Sequence, residues 1–352
     1  MSGRHRVLVV DDSSFMRRFI TDILHSDDNL EVIATAVNGI EALKKVLELR
    51  PDVVTLDIEM PEMDGLTALN EIMIKCPVPV IMLSNRTGVG AEATLKALEL
   101  GALDFVAKPS GNISLDLDKV KDELVLKVKA AARADIRSIR SAASHWTADY
   151  GRKLKVESQS TAGKMPPRIV AIGSSTGGPR ALQDIFSKLP RNFPTAIAVV
   201  QHMSAGFTES LAQRLNSISE LEVSEARDGD ELIAGRALIA PGDRHMKIRR
   251  LDDRFYITLS DEPPVDGLRP SIDMMMDSLV RCSVPLLGVL LTGMGQDGVT
   301  GLKRIREGNG LTIVEDESTC VIYGMPRAAI ENRCADIVAP IYRIAQEIMN
   351  NI

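Results

Sequence analysis

This chain of 352 residues has no excess of basic charge, little cysteine and no long apolar run, and each lack removes a class of protein. The net charge is −6, so no broad nucleic-acid-binding surface is expected. The four cysteines, Cys76, Cys282, Cys320 and Cys334, show no C-x-x-C spacing. They read as reduced, packed residues of a cytosolic protein rather than as a disulfide framework or a zinc site. No apolar run approaches the roughly 20 residues that span a bilayer. The opening Met-Ser-Gly-Arg-His-Arg-Val lacks a signal-peptide pattern. A cytoplasmic chain with no membrane insertion is expected.

With 45% hydrophobic and 26% charged residues, the chain has the composition of a globular protein, and its length suggests two domains. The first third alternates strand and helix. Strands are expected at Arg6–Val10, Leu30–Ala36, Val53–Asp57, Val80–Ser84 and Asp104–Ala107. Helices are expected near Ser14, at Gly39–Leu49, Leu66–Lys75 and Ala91–Leu100, and from Asp116. Five βα units predict a doubly wound five-stranded parallel sheet over residues 4–125. The pattern dissolves from about Ala130: Arg133 to Tyr150 is polar and mildly helical, Gly151 to Pro167 is rich in Lys, Ser, Gln, Thr, Gly and Pro, and residues 126–166 are expected to be a linker. A second α/β domain with a mainly parallel sheet is expected over 167–352, with strands near Ala196–Val200, Arg236–Ala240, Phe255–Ser260, Leu286–Leu291 and Leu311–Val314.

Three carboxylates fall at strand ends in the first domain: Asp11 and Asp12 after the first strand, and Asp57 closing the third. Ligands of such sheets bind at the carboxyl edge. Clustered carboxylates there call for a cation, and an oxygen-only set favours Mg²⁺. Lys108 and Ser84 end neighbouring strands and reach the same edge. The set suits transfer of a phosphoryl group onto Asp57. Asp11-Asp12, Asp57, Met60-Pro61-x-Met63-Asp64-Gly65, Ser84, Phe105 and Lys108-Pro109 together resemble the receiver domain of bacterial response regulators. The resemblance implies a histidine kinase as phosphodonor and Asp57 as phosphoacceptor. It also implies Ser84 and Phe105 as a switch pair, with Phe105 carried inward on phosphorylation.

The second domain opens on Arg168-Ile-Val-Ala-Ile-Gly-Ser-Ser-Thr-Gly-Gly-Pro179, a strand entering a glycine-rich turn. Gly173-x-Ser175-x-Gly177 fits the G-x-S-x-G nucleophile elbow, and it fits a phosphate cradle or a plain tight connection as well. The loop lacks the G-K-[ST] ending of a Walker loop. Two histidines lie in the domain. His202 directly follows an apolar strand, whereas His245 reads as part of a turn between strands and either contacts substrate or merely holds that turn. Asp297 follows a strand at a helix start and by itself reads as an N-cap. Ser175, His202 and Asp297 thus each follow a strand, where their side chains can converge.

Ile172-Gly173-x-Ser175-Thr176-Gly177-Gly178-Pro179, Gln201-His202-Met203, Ala240-Pro241-Gly242 with His245, and Leu291-Thr292-Gly293-Met294-Gly295-x-Asp297-Gly298 resemble the chemotaxis protein-glutamate methylesterases. The resemblance implies a triad of Ser175, His202 and Asp297, with backbone donors at Met294 and Thr176 as oxyanion candidates. It implies methyl-accepting chemoreceptors as substrates, methanol as product, glutamine deamidation as a companion activity and no cofactor in the catalytic domain. Ser174, a second hydroxyl where the family often carries Ala, is expected to be a bystander.

Overall fold

The computed structural model describes residues 4–85, 88–108, 116–134, 166 and 168–352. The chain divides into two compact units, Met1–Tyr150 and Gly151–Ile352.

The first unit is a five-stranded parallel sheet: β1 (His5–Val10), β2 (Leu30–Ala36), β3 (Val53–Asp57), β4 (Val80–Ser84) and β5 (Asp104–Ala107) in the order β2-β1-β3-β4-β5. Its central strands are continuous apolar runs because helices cover both faces. Val7 to Val10, for example, are fully buried. The helices Ser14–His25, Gly39–Leu49 and Gly65–Lys75 start under Ser13, Asn38 and Asp64, whose side chains accept the first free N–H groups. Val10 pairs with Leu56, and Asp57 pairs with Leu83. Asp11, Asp57 and Ser84 therefore emerge at one edge.

The expected boundary at residue 125 falls inside a helix. Asp116–Ala132 continues past it because Val120, Leu124, Val128 and Ala131 form one buried stripe. Lys129 also pairs with Asp27 at 2.7 Å. The rest of the expected linker, residues 135–165, lies outside the described residues.

The second unit contains β6 (Ile169–Ser174), β7 (Ala196–Gln201), β8 (Glu222–Glu225), β9 (Arg236–Ile239), β10 (His245–Leu251), β11 (Arg254–Ser260), β12 (Leu286–Leu290), β13 (Leu311–Glu315) and β14 (Ile337–Ala339). Seven of these strands form one parallel sheet in the order β14-β13-β12-β6-β7-β9-β8. The segment Phe255–Ser260, expected within the βα alternation, belongs instead to an antiparallel hairpin of β10 and β11. Met246, Ile248, Phe255 and Ile257 of that hairpin share a core with Met275, Met276 and Leu279 of the helix Ile272–Arg281. The chain leaves β6 toward β7 and returns on its other side with β12. Sheets with such a reversal bind ligands at the carboxyl ends of the strands that flank it, here β6 and β12.

Candidate active site

Register sets the site. Ser174 pairs with Gln201, and Gly173 pairs with Leu290. Ser175 and His202 consequently leave adjacent strands side by side, while the loop after β12 runs past Ser175. The turn after Ser175 needs glycine: Gly177 sits at φ 82°, and a Cβ on Gly178 would lie 2.0 Å from Gln201 Oε1. The helix Gly178–Phe186 follows, with Pro in its first turn.

Ser174 is fully buried, and its Oγ donates to Gln201 Oε1 at 2.7 Å. Gln201 Nε2 donates to the carbonyls of Ser175 (2.9 Å) and His202 (3.1 Å). One amide thus joins the serine turn to the histidine turn. Ser175 is partly exposed, and its Oγ makes no hydrogen bond among the described residues. Its N–H donates to Thr292 O at 3.0 Å. A Cβ on Gly293 would come within 2.7 Å of Ser175 Cβ, so glycine is what lets the loop approach. The next N–H, that of Met294, donates to no backbone carbonyl among the described residues. Thr176 is buried, and its carbonyl accepts from Thr292 Oγ1 at 3.0 Å.

His202 Nε2 lies 2.8 Å from Asp297 Oδ2. Asp297 does not cap the helix it precedes; Gly298 (φ 93°) occupies the N-cap position of Val299–Glu307. The carboxylate instead sits on the N-terminus of the helix Ile272–Arg281. Oδ2 accepts from Ile272 N (2.7 Å), and Oδ1 accepts from Ser271 Oγ and Asp273 N (both 3.0 Å). Burial acts to raise Asp297, but the His202 hydrogen bond and charge, together with the two backbone donors, hold it below the ordinary aspartate value. With the carboxylate on Nε2, the imidazole presents Nδ1 to the remainder of the site. His245 is not in a turn: it is the first residue of β10 and is fully buried.

A carboxyl lies beneath the Thr292 loop. Glu315 Oε2 accepts from Thr292 N at 2.8 Å and Oε1 from Thr319 Oγ1 at 3.0 Å. Burial pushes it up to about 7, against those hydrogen bonds. A carboxyl raised in the folded state stabilises the fold below its unfolded value and loses that contribution as pH rises through its folded value. The stability of the second unit is therefore expected to fall between about pH 4.5 and pH 7. Glu315→Gln should reduce this slope, most clearly between about pH 6 and pH 7, because Asp273, which burial raises to about 6, also contributes at lower pH; melting temperature against pH reads it. An unchanged slope would show that Glu315 is not its source.

In the first unit, Lys108 Nζ bridges Asp57 Oδ1 (2.7 Å) and Asp11 Oδ2 (2.9 Å). Oxygens of Asp11, Asp12 and Asp57 lie within 4.8 Å of one another. Burial pushes Asp57 up to about 6 despite the Lys108 hydrogen bond. Burial also works against the Lys108 ammonium, but hydrogen bonds to Asp57 and Asp11 hold it above the ordinary lysine value. Ser84 does not point its hydrogen bonds at this cluster. Its Oγ donates to Gly90 O (3.1 Å) and accepts from Thr94 Oγ1 (2.7 Å). Phe105, expected to move inward, is already buried, with Lys127 Nζ 5.1 Å from its ring centroid.

Comparison with known proteins decides the family. The family described as CheB methylesterase matches residues 170–348, and the response regulator receiver domain matches residues 7–117. This chain belongs to the CheB methylesterase family. A relative from Symbiobacterium thermophilum named protein-glutamate methylesterase/protein-glutamine glutaminase is 50% identical over 353 residues, covering 97% of this chain and 96% of that one. A relative of the same name from Halalkalibacterium halodurans is 46% identical and covers 99% of both chains. The crystal structure of the Thermotoga maritima CheB methylesterase catalytic domain aligns with a TM-score of 0.52 at 42% identity, over 53% of this chain and 99% of that one. No described helix of the CheB-family chain is long and apolar enough to cross a membrane.

Three residues that shape this CheB-family site were given no role in the sequence: Gln201, quoted only as part of a motif, Ser271 and Glu315. Gln201 carried a signal, as a polar residue ending an otherwise apolar buried strand. Ser271 carried another, preceding apolar residues at helical spacing (Ile272, Met275, Met276 and Leu279). Glu315 carried the same signal as Gln201, an acidic residue ending the apolar strand Leu311–Glu315, but its partner Thr292 lies on a neighbouring strand's loop.

Proposed function

We propose that the chain is a phosphorylation-activated protein-glutamate methylesterase, and also a protein-glutamine deamidase, acting on methyl-accepting chemoreceptors. The observation that carries this reading is the 2.8 Å contact of His202 with Asp297 at the sheet edge where Ser175 emerges, its hydroxyl unbonded among the described residues. Ser175 Oγ attacks the γ-ester carbonyl carbon and passes its proton to His202 Nδ1. His202 Nε2–H keeps donating to the Asp297 carboxylate, which offsets the imidazolium charge. Met294 N–H, with Thr176 N–H as the second candidate, donates to the oxyanion. The tetrahedral adduct collapses, His202 returns the proton, and methanol leaves. Water then attacks the acyl-serine with His202 again as base, freeing the glutamate carboxyl and regenerating Ser175. A glutamine substrate releases ammonia by the same steps.

In the receiver, Asp57 is the phosphoacceptor and a histidine kinase is the phosphodonor. Asp11, Asp12 and Asp57 fit Mg²⁺: the donors are hard oxygens, and Asp11 Oδ2 is buried with, among the described residues, only the Lys108 ion pair. When bound, the cation offsets charge on the phosphoryl oxygens. Lys108, already between Asp11 and Asp57, holds the same charge from the protein side. A phosphoryl group on Asp57 offers Ser84 a stronger acceptor than Gly90 O, so Ser84 is the mobile member of the switch pair and Phe105 moves little.

Acetyl phosphate with Mg²⁺ should raise methanol release by the wild-type chain roughly tenfold, in the range of ordinary coupling energies. Asp57→Asn should show no rise under the same conditions. A rise in the variant would remove Asp57 from the phosphoacceptor role.

A further inference from the structure

His245 lies behind the candidate acid, fully buried at the start of β10. Its two ring nitrogens meet groups of opposite kind. Nδ1 accepts from the backbone N–H of Ser271 at 3.2 Å, and Nε2 lies 3.1 Å from the carbonyl oxygen of Pro263. An amide N–H only donates and a carbonyl only accepts. The ring is therefore the neutral tautomer with its proton on Nε2. Ser271 is the N-cap of the helix Ile272–Arg281, so its own N–H has no helical acceptor. The residue is fully buried, and without Nδ1 that N–H would be stranded.

Ser271 begins the three-residue segment that grips Asp297. Its Oγ donates to Asp297 Oδ1 and accepts from Met274 N at 3.3 Å, and the N–H groups of Ile272 and Asp273 complete the grip. Asp297 in turn orients His202. His245 itself is held by a seven-residue ladder between β10 and β11. A rigid hairpin thus reaches the candidate triad through one imidazole nitrogen. We infer that His245 is a positioning residue for the hydrolysis: by accepting from Ser271 N–H it fixes where the Asp297 clamp sits, and so how His202 faces Ser175. This inference rests on the triad reading above. The competing account is a satisfied core histidine that only fills space.

Two substitutions separate the accounts. Asparagine places its Oδ1 where Nδ1 stands and keeps the acceptor for Ser271. Glutamine places an amide nitrogen near Nε2 and keeps the donor to Pro263, but loses that acceptor. In the full chain activated with acetyl phosphate and Mg²⁺, His245→Gln should lower kcat for methanol release roughly tenfold, the scale of a small misplacement of reacting groups, with KM little changed. His245→Asn should keep most of kcat. Ser271→Ala should add less loss in the His245→Gln background than alone, because both act on one clamp. If the glutamine variant is unfolded by circular dichroism, His245→Ala takes its place against His245→Asn. Equal kcat for the two variants, or a change in KM alone, would overturn the inference. Ser175→Ala and His202→Gln measured alongside keep the two claims apart: if they retain turnover the triad reading fails, and if they abolish it while the His245 variants behave alike, only the positioning role fails.

Discussion

Ser175→Ala is expected to lower methanol release by at least about 10⁴-fold, the scale on which removal of a triad nucleophile acts. Ser174→Ala should retain most of it. The two serines are adjacent, but alternation along the end of β6 sends them to different places. Ser174 faces into the sheet, where its Oγ is bonded to Gln201. Ser175 lies one residue beyond the strand, with its N–H on Thr292 and its hydroxyl without a hydrogen bond among the described residues. The Ser174→Ala effect should appear in stability instead, about 1–3 kcal/mol, since Gln201 Oε1 is left buried without its donor. Turnover lost with Ser174 and kept with Ser175→Ala would reverse the assignment.

The second large effect is expected at His202. His202→Gln retains a polar group that can still reach Asp297, but it cannot take up a proton near neutral pH. Turnover should therefore fall by several orders of magnitude, about as far as for loss of the nucleophile, because triad members act as a unit. The double variant with Ser175→Ala should be no slower than either single variant. By contrast, His245→Gln leaves the proton acceptor in place and should cost far less. Comparable losses at the two histidines would mean that the base has been misassigned.

The parts of this fold that were readable in the sequence are those with local causes. Asp11, Asp57 and Lys108 follow apolar strands that could be seen directly, and parallel pairing then brings them to one edge. Ser175, His202 and Asp297 were legible for the same reason. What escaped were elements whose signal depends on a partner. β10 reads His-Met-Lys-Ile-Arg-Arg-Leu, and its charges hide the alternation of Met246 and Ile248 into the core. β14 is three residues long and defined by pairing with β13. His245 looked like a turn residue because the hairpin that buries it was not recognised. Asp297 looked like the cap of its own helix, whereas Ser271, far away in the sequence, brings the N-terminus of another helix to it. Such contacts are set by tertiary packing and leave no periodic trace in either segment.

The most direct test of the whole account is methanol release from methyl-esterified chemoreceptor membranes by the full chain, measured with and without acetyl phosphate and Mg²⁺. The account predicts release that rises on phosphorylation, disappears in Ser175→Ala under both conditions, and stays at its unstimulated level in Asp57→Asn. Methanol release that survives in Ser175→Ala, or the absence of any release from the phosphorylated wild-type chain, would contradict it.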